Sequence, residues 1–129
     1  MSSAIFKAAG DGSLLTFEVT SSSATDVDFN VHVRTPHFAG QAPASTFMNG
    51  SPSALFAEMA SEWTGWRGQK TWQDLESRVS FSASSDSTGH VTLRVELKGQ
   101  DYDSGLTVNL MFEASQLDAM ASSISELLG

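Results

Sequence analysis

Apolar residues alternate with polar ones in six short stretches of the chain. Leu15, Phe17 and Val19 are interleaved with Thr16, Glu18 and Thr20, the period of a strand with one buried face. The same alternation sets Phe29, Val31 and Val33 inward over residues 27–34, and Val79, Phe81 and Ala83 inward after residue 78. It is clearest in residues 90–98, where Val91, Leu93, Val95 and Leu97 share one face, and it returns at Leu106, Val108, Leu110 and Phe112. A further short run, Ile5 to Ala8, is joined to the next strand through Gly10-Asp11-Gly12, whose glycines supply the positive φ of a hairpin. Asp86-Ser87-Thr88-Gly89 and residues 99–105 read as the later turns. Residues 35–50 are broken by Pro36, Gly40 and Pro43, yet carry Phe38, Phe47 and Met48. These three are expected to be buried in an irregular strand or bulged hairpin.

Two stretches change period. From Ser51, a hydrogen-bond acceptor for first-turn N–H groups, and Pro52, a helix start is expected. Leu55, Met59 and Trp63 then recur at four-residue spacing beside Phe56 and Ala60, with Glu58, Ser61 and Glu62 opposite. Trp63 is therefore expected in the core, Gly65 at the left-handed helix stop, and Trp66 folded back on the last turn. Trp72 and Leu75 lead into the following strand. Near the C-terminus Ser115 and Asp118 resemble a capping box, and Leu117, Met120, Ala121, Ile124, Leu127 and Leu128 form an apolar stripe. The whole predicts a single domain over residues 1–129: an α+β two-layer sandwich with a mainly antiparallel sheet of about six strands, both helices on one face, in the order βββα-βββα.

Charge narrows the partners. Seven basic against fifteen acidic residues give a net charge of -8 and a pI near 4.6, which disfavours nucleic acid and suits either solubility or pairing with a basic protein. No apolar run approaches the length of a bilayer span, no basic leader opens the chain, and cysteine is absent. A soluble, cytoplasmic protein with no membrane association is expected.

No constellation of residues points to catalysis, a cofactor or a metal. His32 and His90 occupy outward strand positions and His37 follows a proline, so surface histidines are expected rather than ligands. An enzymatic reading rests on His32, Arg34, His90 and Glu96 alone. Asp101 to Gly105 lacks the later glutamate of a calcium loop, and Asp74 with Glu76 is expected to face solvent. Trp66 and Trp72 flank Arg67 and Lys70, an arrangement suited to a cation over an indole and either to locking a corner or to holding a ligand or partner.

Trp63-Thr64-Gly65-Trp66-Arg67-Gly68, then Trp72, Leu75 and Glu76, then Gly89-His90-Val91-Thr92-Leu93, resemble the pattern W-x-G-W-x-G-x-x-x-W-x-x-L-E followed by G-H-V-x-L of a small bacterial family of unknown function. The resemblance spans roughly residue 55 to the C-terminus and brings no catalytic residue with it. It implies an immunity-protein-like role, since small acidic proteins of this type are often encoded beside secreted toxins. The expected function is non-enzymatic binding of a protein, with a basic toxin domain as the candidate partner. Glu58, Glu62, Trp66, Arg67, Trp72, Asp74 and Glu76 are the candidate contact residues. The alternative is a small-ligand pocket near Trp66 and Trp72. Nothing in the pattern bears on oligomeric state.

Overall fold

The computed structural model describes residues 2–129. Strands β1 (Ser3–Lys7), β2 (Leu14–Ser22), β3 (Val27–Arg34) and β4 (Ala39–Ser45) form one antiparallel sheet in chain order. Helix α1 (Ser53–Ser61) follows. Strands β5 (Lys70–Gln73), β6 (Val79–Ser85), β7 (His90–Lys98) and β8 (Gly105–Glu113) then form a second sheet in the same order. A short 3-10 turn, Ala114–Gln116, leads into α2 (Leu117–Leu128).

The α+β class holds, but about six strands in one sheet in the order βββα-βββα is overturned. There are eight strands in two four-stranded sheets, and the order is ββββα twice. The physical reason is that alternation identifies the buried face of a strand and not what covers it. Here the sheets cover one another: Phe17 of β2 lies 5.7 Å from Phe81 of β6 and Phe29 of β3 lies 6.3 Å from Trp72 of β5, between ring centroids. Phe56 of α1 enters the same cluster, 6.0 Å from Phe17 and 6.2 Å from Phe81, so the helices join the inter-sheet core instead of roofing a single sheet. The two helices also pack on each other, and Ser53 Oγ donates a hydrogen bond to the Gly129 carbonyl at 2.8 Å.

Strand β4 falls inside the stretch 35–50 where an irregular strand or bulged hairpin is expected, and it shows how an edge tolerates breakers. Thr46 N–H donates to the Val27 carbonyl and Thr35 N–H to the Phe38 carbonyl, so in the register Asn30↔Pro43 the proline nitrogen points away from β3. At an edge its missing N–H costs nothing. Gly40 makes room for a neighbour: a Cβ there would lie 2.9 Å from Leu106 Cδ2 of β8, and the leucine side chain would have to shift. Ala42 and Ala44 supply the small inward residues of this strand, whereas Phe38, Phe47 and Met48, expected inside, are exposed.

Trp63 is also corrected: it is 61% exposed. Extending the Leu55, Met59 spacing to it presumes that the helix persists, but α1 ends at Ser61, with Glu62 at φ -110° and ψ 38°. Gly65 does adopt a positive φ, 123°, three residues beyond the helix cap, where its N–H donates to the Glu62 carbonyl. At the helix start Ser51 Oγ accepts the Ser53 N–H at 3.1 Å, as expected. At the other helix the reciprocal contact forms earlier than Ser115 and Asp118: Glu113 N–H donates to Gln116 Oε1 at 2.8 Å. Among the described residues no helix is long and apolar enough to cross a membrane.

Candidate functional site

The residues singled out in sequence converge on β5, a four-residue edge strand that pairs with β6 alone. Trp72 stacks on its cross-strand neighbour Phe81 at 5.7 Å, which holds the strand by aromatic packing despite its shortness. Asp74 fixes the turn that follows. Its side chain is buried, and Oδ1 accepts the N–H groups of Arg78 at 2.8 Å and Val79 at 3.0 Å. Asp74 is therefore a turn residue and does not face solvent together with Glu76. Glu76 is exposed and accepts from Arg78 Nε at 3.1 Å. That hydrogen bond raises the Arg78 pKa. The Arg78 guanidinium lies 5.1 Å from the Tyr102 ring centroid, and the Tyr102 hydroxyl donates to the Glu76 carbonyl at 2.9 Å.

At the other end of β5, Lys70 Nζ binds Glu62 and lies 3.6 Å from Glu58 Oε2. The Glu62 hydrogen bond raises the Lys70 pKa above its ordinary value. The same ammonium sits 5.4 Å from the Trp66 ring centroid, so the expected cation over an indole is formed by Lys70. Trp66 anchors itself to the second sheet by donating Nε1–H to the Ala83 carbonyl at 3.2 Å. Arg67 is exposed and has no ion-pair partner among the described residues.

Sequence reasoning missed the apolar part of this rim. The loop after β4 is tied to β5 twice, by Asn49 Nδ2–H to the Gln73 carbonyl at 3.0 Å and by Trp72 Nε1–H to the Gly50 carbonyl at 3.2 Å. It presents Phe47 and Met48 outward, Met48 at 74% exposure and in the left-handed region at φ 66°, a conformation unfavourable for a residue with a Cβ. Exposed Trp63 follows Glu62, which binds Lys70 at the start of β5, and exposed Leu75 lies two residues past the end of the strand. Of eight large apolar side chains exposed among the described residues, these four lie in segments that continue β5 or are joined to it through a neighbouring residue. The available signal was the clustering of turn residues on both sides of β5, where apolar side chains lack a periodic element to bury them.

Elsewhere, the residues of the enzymatic reading are not assembled. His32 and Arg34 belong to β3, and His90 and Glu96 to β7 in the other sheet. His32 Nε2 lies 3.3 Å from Glu18 Oε1. His90 sits between Asp86 and Glu113 at 3.4 Å from each carboxylate. Hydrogen bonds from the His90 backbone N–H and from Thr88 lower the Asp86 pKa to about 2. Among the described residues no group of three His, Cys, Asp or Glu side chains is arranged to hold a metal.

Two facing antiparallel sheets closed by two helices define an α+β protein with aromatic and acidic side chains beside one edge strand. The chain belongs to the family of unknown function DUF6228, whose model matches residues 6–129. The family thus takes in both sheets and not only the second half that carries the tryptophan pattern. No curated protein and no solved structure matches the chain.

Proposed function

We propose that this chain is a non-enzymatic, cytoplasmic protein-binding protein of the immunity type, which neutralises a cognate bacterial toxin by covering its functional surface with the β5 rim. The observation that carries the reading is the exposure of Trp63, Phe47, Met48 and Leu75 around one edge strand. Exposed apolar clusters with a polar border mark protein contact sites, and Trp is enriched among residues that dominate binding energy. Glu58 and Glu62 border the cluster on the α1 side, and the net charge of -8 favours encounter with a basic partner.

The test is growth rescue. The toxin domain encoded beside this gene is induced in a susceptible bacterium with the chain co-expressed, and with a Trp63→Ala, Met48→Ser variant in its place. Rescue by the wild type and none by the equally abundant variant is expected. A neighbouring gene without a toxin domain, or rescue by both proteins, overturns the reading.

A further inference from the structure

Strand β1 offers an open edge that the β5 rim does not involve. Val19 N–H donates to the Ser2 carbonyl at 3.0 Å and Ala8 N–H to the Ser13 carbonyl at 2.8 Å. With the register Ala4↔Phe17 and Phe6↔Leu15, the even-numbered residues of β1 bond to β2. Ser3, Ile5 and Lys7 therefore turn their N–H and C=O groups outward. The Lys7 carbonyl accepts Gln116 Nε2–H at 2.9 Å, and just past the strand Ala9 N–H donates to the Met111 carbonyl at 2.8 Å. The N–H groups of Ser3, Ile5 and Lys7 and the carbonyls of Ser3 and Ile5 have no partner among the described residues. Such an edge is a template for another strand, and β1 is not protected at its centre. Ile5, the middle residue, is 62% exposed.

Helix α2 runs beside this edge, and two clefts between them meet at Ile5 and Ser123 and extend to either end of the strand. Glu126 and Leu127 line the cleft at Ser3, of about 650 Å³. Gln116 and Ala119 line the one at Lys7, of about 400 Å³. Lys7 and Glu126 thus stand at opposite ends of one edge, and neither has an ion-pair partner among the described residues.

We propose that a second copy of this chain docks on this edge, β1 against β1, antiparallel about a two-fold axis at Ile5. Ile5 then faces Ile5 of the second copy, and Ser3 faces its Lys7. Each free N–H finds an acceptor: Ile5 on Ile5, Lys7 on Ser3, and Ser3 on the Lys7 carbonyl, which has a second lone pair beyond the one taken by Gln116. The same rotation brings Lys7 of each copy to the cleft lined by Glu126 of the other, so the charges complement each other twice. A strand whose own ends carry the matching charges makes the self-complementary patch that a two-fold interface requires. The β1–β4 sheets of the two copies become one continuous sheet of the dimer.

Sedimentation equilibrium of the whole chain tests this, with Ile5→Pro and the charge variants Lys7→Glu, Glu126→Lys and their combination. Proline at position 5 removes only an outward N–H, so the bond ladder to β2 survives. Circular dichroism and a thermal melt establish that each variant is folded. Expected are a dimer of the 13.8 kDa chain, a folded Ile5→Pro monomer, a dimer loosened about two- to five-fold by either single charge reversal, and recovery when both reversals are combined. A wild-type chain monomeric at every loading concentration overturns the proposal and leaves the edge to a strand from another protein. A dimer indifferent to Ile5→Pro, or single reversals not rescued by the double variant, overturns it in favour of another face.

Discussion

The indole N–H of Trp72 donates to the carbonyl of Gly50 at 3.2 Å while its ring stacks on Phe81 at 5.7 Å. One side chain thus joins the loop bearing Phe47 and Met48 to the inter-sheet core. Trp72→Phe keeps an aromatic in the stack and deletes the bond, so it should cost about 1 kcal/mol in a urea melt. Hydrogen exchange should quicken in residues 46–50 more than in β6. Equal protection of the loop in both proteins would show that Trp72 does not hold it.

Trp63 and Phe17 give opposite expectations from similar chemistry. Phe17 is fully buried between the sheets, so Phe17→Ala should lose about 3–5 kcal/mol. Trp63→Ala removes an exposed indole and should stay within about 0.5 kcal/mol of wild type. Urea midpoints compared at constant slope check both.

Asp74→Ala should be costly, since the side chain is buried. Its carboxylate accepts two backbone N–H groups of the β5–β6 turn, and removing it leaves them without that acceptor, at about 1–3 kcal/mol. Asp74→Asn retains an acceptor oxygen and should lose less. If the two variants melt together, the hydrogen bonds are not what holds the turn.

The acid limb of stability should depend on Asp86. Its pKa is lowered from 3.8 to about 2 by the His90 backbone N–H and Thr88. A carboxylate depressed by folding stabilises the fold at pH values above its unfolded pKa. That contribution fades as pH falls from about 4 to about 2. Asp86→Asn should therefore flatten the fall of melting temperature across this window and leave the neutral-to-alkaline profile parallel to wild type. An acid limb as steep as wild type would contradict it.

How far the residues revealed the fold follows from what each pattern encodes. The strands over 27–34 and 90–98 were legible because their alternation is strict, and their observed bounds coincide with it. Helix α2 was legible from its stripe, of which Leu117, Met120, Ile124 and Leu128 are buried. For β4 a strand within 35–50 was legible but not its bounds or its inward face, because its inward residues are alanines and a proline interrupts it. The second sheet was not legible, since a half-buried strand looks alike under a helix or under another sheet. At the candidate site, Lys70 over Trp66 and the Glu58–Glu62 edge were within reach of spacing arguments. The exposure of Trp63 was not, because it depends on α1 ending at Ser61, one residue after Ala60, with no glycine or proline there to announce it. Asp74 was misassigned because its burial arises from a local turn.

The proposed binding through the β5 rim is tested most directly by titration calorimetry of the chain against the product of the neighbouring gene, with the folded Trp63→Ala, Met48→Ser variant titrated under the same conditions. The wild type should bind, and the variant should bind at least about thirty-fold more weakly, the loss that follows from removing a dominant contact residue. Equal affinity of the two proteins, or a wild type that does not bind, would contradict a contact surface at β5.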